Sequence, residues 1–211
     1  MSVAFSVEVD AEIRAIVRPL TWKTGRLRVV DHDARMDAPV ADAARVMRTA
    51  PEPADVIASV RTMYKRLGID PTKTRPSSEA LLRRVRRGDE LPRINSLVDV
   101  INWTSLESQL SFGLYDAAAV RGAVTVRRGR EGEEYAGIRK DAVHVAGRLV
   151  LADEAGPFGN PTSDSARTMV TVSTTEAIVV IYAPVGIAEA AVERARVLTE
   201  QRIDQFCRTV E

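Results

Sequence analysis

Cysteine occurs once in 211 residues, at Cys207, so no intrachain disulfide can form and the chain needs no oxidising compartment. Histidine occurs twice, at His32 and His144, too far apart in sequence to suggest a histidine-based triad. Aromatic residues are scarce at 5%, so packing must lean on Ala, Val, Ile and Leu. No apolar run is long enough to cross a bilayer; the longest, around residues 177–188, is broken by Pro184 and Gly186. The opening MSVAFSVEVD carries Glu8 and Asp10 and lacks a basic region followed by a long apolar run, so it is not read as a signal peptide. There is no Gly-x-Ser-x-Gly elbow, no phosphate-binding Gly-Lys-Ser/Thr loop and no dinucleotide fingerprint. These absences argue for a cytoplasmic protein with no cofactor and no membrane partner. Asp31, His32, Asp33 and Asp37 form the one group with metal-ligand chemistry, but a solvated turn is the simpler reading, and no metal is expected.

What is present is an ordinary globular composition, 45% hydrophobic and 28% charged, with a net charge of +1. That near-neutral sum hides a basic segment. Residues 65–93 hold nine Lys/Arg against four Asp/Glu, whereas residues 31–55 are mildly acidic. A local excess of this kind can hold a polyanion without making the whole surface adhesive.

Val3, Phe5, Val7 and Val9 alternate with smaller or polar residues, a period-two pattern that reads as a strand. A short helix is expected over residues 11–17, stopped near Pro19, then a strand at 27–30 and a helix at 40–49. Val56, Ile57, Val60, Met63, Tyr64 and Leu67 share the face of a helix that Gly68 ends. A further helix runs over 78–87, with Ser77 as its cap and Arg83, Arg84 and Arg87 outward, and another over 95–108. Strands are expected at 123–128, 133–138, 148–152, 168–173 and 177–183, and a last helix at 187–209. Helices followed by sequential strands predict a single α+β domain over residues 1–211, with helices packed on a mostly antiparallel or mixed sheet.

Residues 154–166, EAGPFGNPTSDSA, match neither periodicity and are expected to form a long functional loop. Ser163, Asp164 and Arg167 in and beside it either build turns and an internal ion pair or present a carboxylate and a guanidinium to a ligand. Asn102 shares a helix face with Val98 and Ser105. It is either an amide tying the helix to a loop or a polar group facing a pocket. The arginines of residues 83–87, with Lys73, Arg75 and Arg93, form either a solvated face or a surface that tracks phosphates.

The stretch from Tyr64 to Asp116, with INSLVDVIN at its centre and the RPSSEALLRR and later SDSART runs, resembles the B-three/B-four domain of phenylalanyl-tRNA synthetase and its free-standing relatives. The similarity covers roughly residues 60–184. It implies an α+β fold of the synthetase beta-subunit editing type, whose pocket hydrolyses mischarged tyrosyl-tRNA, and hence a tRNA or aminoacyl-tRNA partner. Asn102 matches the family's pocket asparagine. Ile101, Gly113 and Val180 stand where the family's pocket has a threonine, a histidine and the glutamate that recognises tyrosine. A pocket without those groups is not built to hydrogen-bond a phenol. Ester hydrolysis needs a positioned water and oxyanion donors more than a protein nucleophile. Asn102, Ser163 and Asp164 are the expected catalytic set, with Arg167 orienting the carboxylate, and Lys73, Arg75, Arg83, Arg84 and Arg87 the expected RNA contacts. The chain is thus expected to be a trans-acting aminoacyl-tRNA deacylase. The alternatives are a non-catalytic RNA-binding module and an amino-acid binder or hydrolase that does not touch RNA.

Overall fold

The computed structural model describes residues 2–139 and 141–208. In chain order the elements are β1 (Ser2–Ala4), β2 (Glu8–Val9), α1 (Ala11–Arg14), β3 (Val17–Gly25), α2 (Asp37–Thr49), α3 (Ala54–Arg66), α4 (Ser77–Arg86) and α5 (Ser96–Ser108). The second half holds β4 (Ser111–Asp116), β5 (Thr125–Arg128), β6 (Glu134–Ala136), β7 (Ala142–His144), β8 (Leu149–Asp153), β9 (Gly156–Asn160), β10 (Ser163–Asp164), β11 (Glu176–Pro184) and α6 (Glu189–Phe206). The fold is α+β, with one antiparallel sheet in the order β1-β3-β11-β4 and a mixed sheet in the order β10-β9-β8-β5-β2. A short β6–β7 hairpin stands apart from both.

Strand β11 is the axis of the first sheet. Every residue from Ala177 to Pro184 is buried, which explains its unbroken AIVVIYAP run: both its faces are covered, so no polar alternation is required. Its register with β4 sets Tyr115 opposite Ile178 and Gly113 opposite Val180. Cross-strand partners point to the same face, so Gly113, Tyr115 and Val180 share one side of the sheet while Phe112 and Leu114 share the other. On the first side the Tyr115 ring meets Phe158 of β9 edge-on at 4.9 Å, which couples the two sheets. On the other side, α5 packs against β4 and α6.

The helices of residues 54–108 fall close to where periodicity places them. Gly68, at φ 76°, ends α3 in the left-handed conformation that glycine adopts without penalty. Asn95 caps α5 by accepting the Val98 N–H at 2.9 Å. At α4 the cap position belongs to Pro76, and Ser77 is already helical.

Four expectations give way. Helix α1 is one turn long, and β3 begins at Val17 and runs through Pro19, where a stop was expected. Strand β1 pairs only with residues 22–24 of β3, so at Pro19 that flank carries no strand and a missing N–H there breaks no ladder bond. Residues 27–30 form no strand; Leu27 makes a single bridge to Arg208, and Leu27 and Val29 are buried in the core. The expected strand at 168–173 is a turn instead, closed by Thr174, whose hydroxyl accepts the Thr171 N–H at 3.0 Å. The last helix ends at Phe206, and residue 209 of its expected span lies outside the described residues.

Candidate functional site

Residues 154–166 are not an irregular loop. They form a hairpin, β9 and β10, joined by a turn over residues 160–163 and added to the edge of the mixed sheet. Proline and glycine concealed the strands, but Asn160 makes the turn. Its buried Oδ1 accepts from the Thr162 N–H at 2.8 Å, the Thr162 hydroxyl at 2.7 Å and the Ser163 N–H at 2.9 Å. Two tyrosines anchor it from outside: Tyr64 donates to the Pro161 carbonyl at 2.7 Å, and Tyr135 to the Ser163 carbonyl at 2.5 Å.

This hairpin and α5 enclose a cavity of about 350 Å³, within the range of small-molecule sites. Helix α5 contributes Val98, Ile101, Asn102 and Ser105; strand β4 contributes Phe112 and Leu114; the hairpin contributes residues 160–164. Ile94, Met169 and Val170 complete an apolar wall, with Ser77, Ile138 and Arg139 also lining it. Of the expected catalytic set, Asn102, Ser163 and Asp164 therefore face one space. Ile101 presents its aliphatic side chain to that space.

Most polar side chains of the wall are already committed. Ser105 donates to the Leu110 carbonyl at 2.8 Å, and Thr162 and Asn160 serve the turn. The Asn102 side chain has no hydrogen-bond partner among the described residues. Asp164 is another exception. Its Oδ1 is shielded from solvent and unpartnered. Burial pushes its carboxyl up to about 7, and a hydrogen bond from Tyr115 pulls only partly the other way. Behind it the Tyr115 and Tyr182 hydroxyls lie 2.8 Å apart, both fully buried, and burial first and the Asp164 charge second raise both phenols well above their ordinary value. The site can thus hold a carboxyl whose protonation changes near neutral pH, backed by a two-tyrosine chain.

Arg167 does not orient Asp164. It donates to both Asp153 oxygens, at 2.9 and 3.0 Å, and to the Ala119 carbonyl at 2.9 Å. Burial opposes ionisation of Asp153, but Arg167 and the N–H groups of Arg121 and Ala155 overcome it and hold that carboxyl below the usual range. Asp153, at the end of β8, meets Arg167 of the short helical turn that follows β10, whereas Asp164 is turned toward Tyr115.

Gly113 and Val180 do not line the cavity. Gly113 sits on the opposite face of β4 from Phe112 and Leu114, and a Cβ there would lie 2.9 Å from Cε2 and Cζ of Tyr115. The Tyr115 ring, anchored on Asp164, occupies the room a side chain at position 113 would need. Val180, its cross-strand partner, is fully buried.

The expected RNA contacts are mostly drawn into ion pairs. Buried Glu79 accepts from Arg61 at 2.8 and 3.0 Å and lies 3.4 Å from Arg75 and 3.5 Å from Arg83. Arg84 donates to the Glu90 carbonyl and Arg87 pairs with Asp89 at 3.3 Å. Lys73 is exposed, and its backbone N–H closes a turn on Asp70. Arg93 joins Asp37 and Asp99 rather than the basic surface. At the Asp31–Asp37 turn, Asp33 is held by Arg35, and no group of three or more metal-ligating side chains occurs among the described residues.

Sequence reasoning missed Tyr115, Tyr182, Asn160 and Arg139. Asn160-Pro161 was a legible turn signal; the tyrosines gave none, being 67 residues apart.

The B3/4 domain family matches residues 59–210 of this chain. The beta subunit of phenylalanine–tRNA ligase from Brucella abortus (strain 2308) is 35% identical over 86 residues, 40% of this chain and 11% of that protein. The corresponding subunit from Cutibacterium acnes is 35% identical over 105 residues, 49% of this chain and 12% of its own length. The chain thus spans about a tenth of the length of these relatives. An N-terminal fragment of the phenylalanyl-tRNA synthetase beta subunit from Pyrococcus horikoshii superposes with a TM-score of 0.44 at 14% identity, covering 55% of this chain and 42% of that one. No helix among the described residues is long and apolar enough to cross a membrane.

Proposed function

The chain belongs to the B3/4 domain family, and from that membership we propose that it hydrolyses the ester of a mischarged aminoacyl-tRNA, acting as a separate editing protein. The observation that carries the reading is the juxtaposition of Asn102 and Asp164, neither pair-bonded to a cation, on the wall of one mostly apolar cavity. The apolar wall takes the amino-acid side chain. A water held between the Asn102 amide and the Asp164 carboxylate attacks the ester carbonyl carbon. Asp164 accepts the proton of that water as the new C–O bond forms. The bond to the terminal ribose oxygen then breaks, and the proton passes to that oxygen. Tyr115, backed by Tyr182, holds the carboxyl in place, the role first expected of Arg167. Neutral pH lies near the Asp164 transition, which suits a general base.

Ile101, Phe112 and Leu114 give the cavity an apolar wall with no group to greet a phenol, so an aliphatic or unsubstituted aromatic side chain fits better than tyrosine. A second reading has one observation in its favour. Arg75, Arg83, Arg84 and Arg87 each have an internal partner, as expected of an amino-acid binder or hydrolase that does not contact RNA. The exposed Arg87–Asp89 pair is worth about 1 kcal/mol or less, so a phosphate can replace it, whereas Arg75 and Arg83 lean on the buried Glu79. The two readings separate in a deacylation screen run on aminoacyl-tRNAs and, in parallel, on amino-acid methyl esters. Turnover of the methyl esters alone supports the second.

A further inference from the structure

Among the described residues one cation, Arg139, lies on the cavity wall, and nothing in the reaction above uses it. Arg139 sits at the tip of the β6–β7 hairpin, exposed, in a left-handed backbone conformation with φ 55°. Its guanidinium has no hydrogen-bond or salt-bridge partner among the described residues. This contrasts with Arg167 nearby and with Arg83, Arg84 and Arg86 of α4, all of which are partnered. The hairpin is fixed over the site by its neighbours. Ile138 donates its N–H to the Asp164 carbonyl at 3.2 Å, and Gly137 bridges Ser165. The backbone that carries Asp164 therefore also positions Arg139.

The same rim shows two large apolar side chains to solvent, Ile94 at 44% exposure and Met169 at 39%. An amino acid seated deep in the cavity needs neither a second apolar platform nor an anion contact outside. A nucleotide attached to that amino acid needs both, a platform for its base and a cation for its phosphate.

Resting on the deacylase reading of this cavity, we propose that Arg139 binds the phosphate of the terminal nucleotide that carries the aminoacyl ester, with Ile94 and Met169 packing against the base. Arg139 is then a specificity residue that separates an aminoacylated RNA end from a free amino acid or simple ester. It takes no part in bond making or breaking. A guanidinium suits the role because it presents paired N–H donors to phosphate oxygens and stays charged at every working pH.

The experiment is calorimetric binding of non-hydrolysable probes: the 3′-leucylamino and 3′-phenylalanylamino derivatives of 3′-deoxyadenosine, each with and without a 5′-phosphate. Wild-type protein should bind the phosphorylated probes more tightly than the unphosphorylated ones. Arg139→Gln should abolish that difference, about 10-fold in Kd, while leaving affinity for the unphosphorylated probes unchanged. Arg139→Lys should restore part of it, and Met169→Gln should weaken all the probes alike. Thermal melts confirm that each variant is folded, as an exposed hairpin tip should allow. Equal weakening of both probe classes by Arg139→Gln, no phosphate dependence in the wild type, or no binding of the phosphorylated probes would each overturn the assignment. Because the probes cannot be hydrolysed, phosphate-dependent binding without any deacylation would refute the chemistry and leave Arg139 as an RNA-end contact.

Discussion

Arg167 holds Asp153 through two hydrogen bonds of 2.9 and 3.0 Å, and the neighbouring Asp164 is left with a tyrosine, not a cation, as its side-chain partner. Two carboxylates of the same sheet, on β8 and β10 with β9 between them, thereby acquire opposite characters. Asp153 stays ionised as a structural ion pair, whereas Asp164 loses and gains its proton near neutral pH.

That difference has a consequence for stability. The Asp164 carboxyl is raised from 3.8 to about 7, so the folded state favours its protonated form more strongly than the unfolded state does. The associated stability is fully present below about pH 4 and is lost as pH rises through about 7. Asparagine does not titrate. Relative to Asp164→Asn, the wild type should lose on the order of 2–4 kcal/mol between pH 4 and pH 8, allowing for partial solvation of the site. Urea melts of both proteins across that range measure it. A constant offset at every pH would mean that the carboxyl is solvated.

The same group sets the shape of the rate profile. If Asp164 removes the proton from water, deacylation should rise with pH and level off above an apparent value of about 7. Asp164→Asn and Asn102→Ala should each slow the reaction by about 10–1000-fold. Asn102 lies on a half-buried helix face, so its variant is to be read together with its melt. A profile flat from pH 5 to 9 in the wild type would remove Asp164 from the chemistry.

Gly113 tests the tyrosine chain from behind. A Cβ at this position meets the Tyr115 ring, so Gly113→Ala should cost about 1–3 kcal/mol by overpacking. Tyr115→Phe removes the Tyr115 hydroxyl that the new methyl would strike. The double variant should therefore be more stable than the sum of the single changes allows. Additive costs would show that the ring has room to move.

The basic helix makes a separate claim. Replacing Arg83, Arg84 and Arg87 with Ala should weaken tRNA binding and flatten its dependence on salt, by roughly 0.7–0.9 in log–log slope per lost phosphate contact. Each arginine is exposed, so little stability should go with them. An unchanged slope would assign these side chains to their internal partners, Glu79, the Glu90 carbonyl and Asp89, alone.

What could be read from the sequence follows the range of the interactions involved. Helices α3 to α5 were legible because their signals are local: apolar residues at helical spacing, Gly68 past one end, Asn95 at the other. The helix face that Asn102 shares with Val98 and Ser105 was legible for the same reason, but periodicity left open whether that amide serves a loop or a pocket. The β9–β10 hairpin was legible as a polar turn but not as strands, because Pro157 and two glycines mask a pairing that the β8 neighbour supplies. The Tyr115–Tyr182–Asp164 chain depends on strands that meet only after folding. Arg167 was near Asp164 in sequence, and that proximity misled; the helical turn after β10 swings it to Asp153. Arg139 had no motif around it, and only the hairpin that carries it brings it to the cavity.

The central claim is ester hydrolysis at Asp164, and one measurement addresses it most directly. Wild-type protein and Asp164→Asn are each incubated with a panel of tRNAs mischarged with aliphatic and aromatic amino acids, and loss of the aminoacyl ester is followed at pH 7.5. The account predicts that the wild type clears at least one of them well above the spontaneous rate, that tyrosyl-tRNA is not preferred, and that the Asn variant is at least about 10-fold slower while remaining folded. Loss of every ester at the buffer rate, or an Asn variant as fast as the wild type, would contradict it.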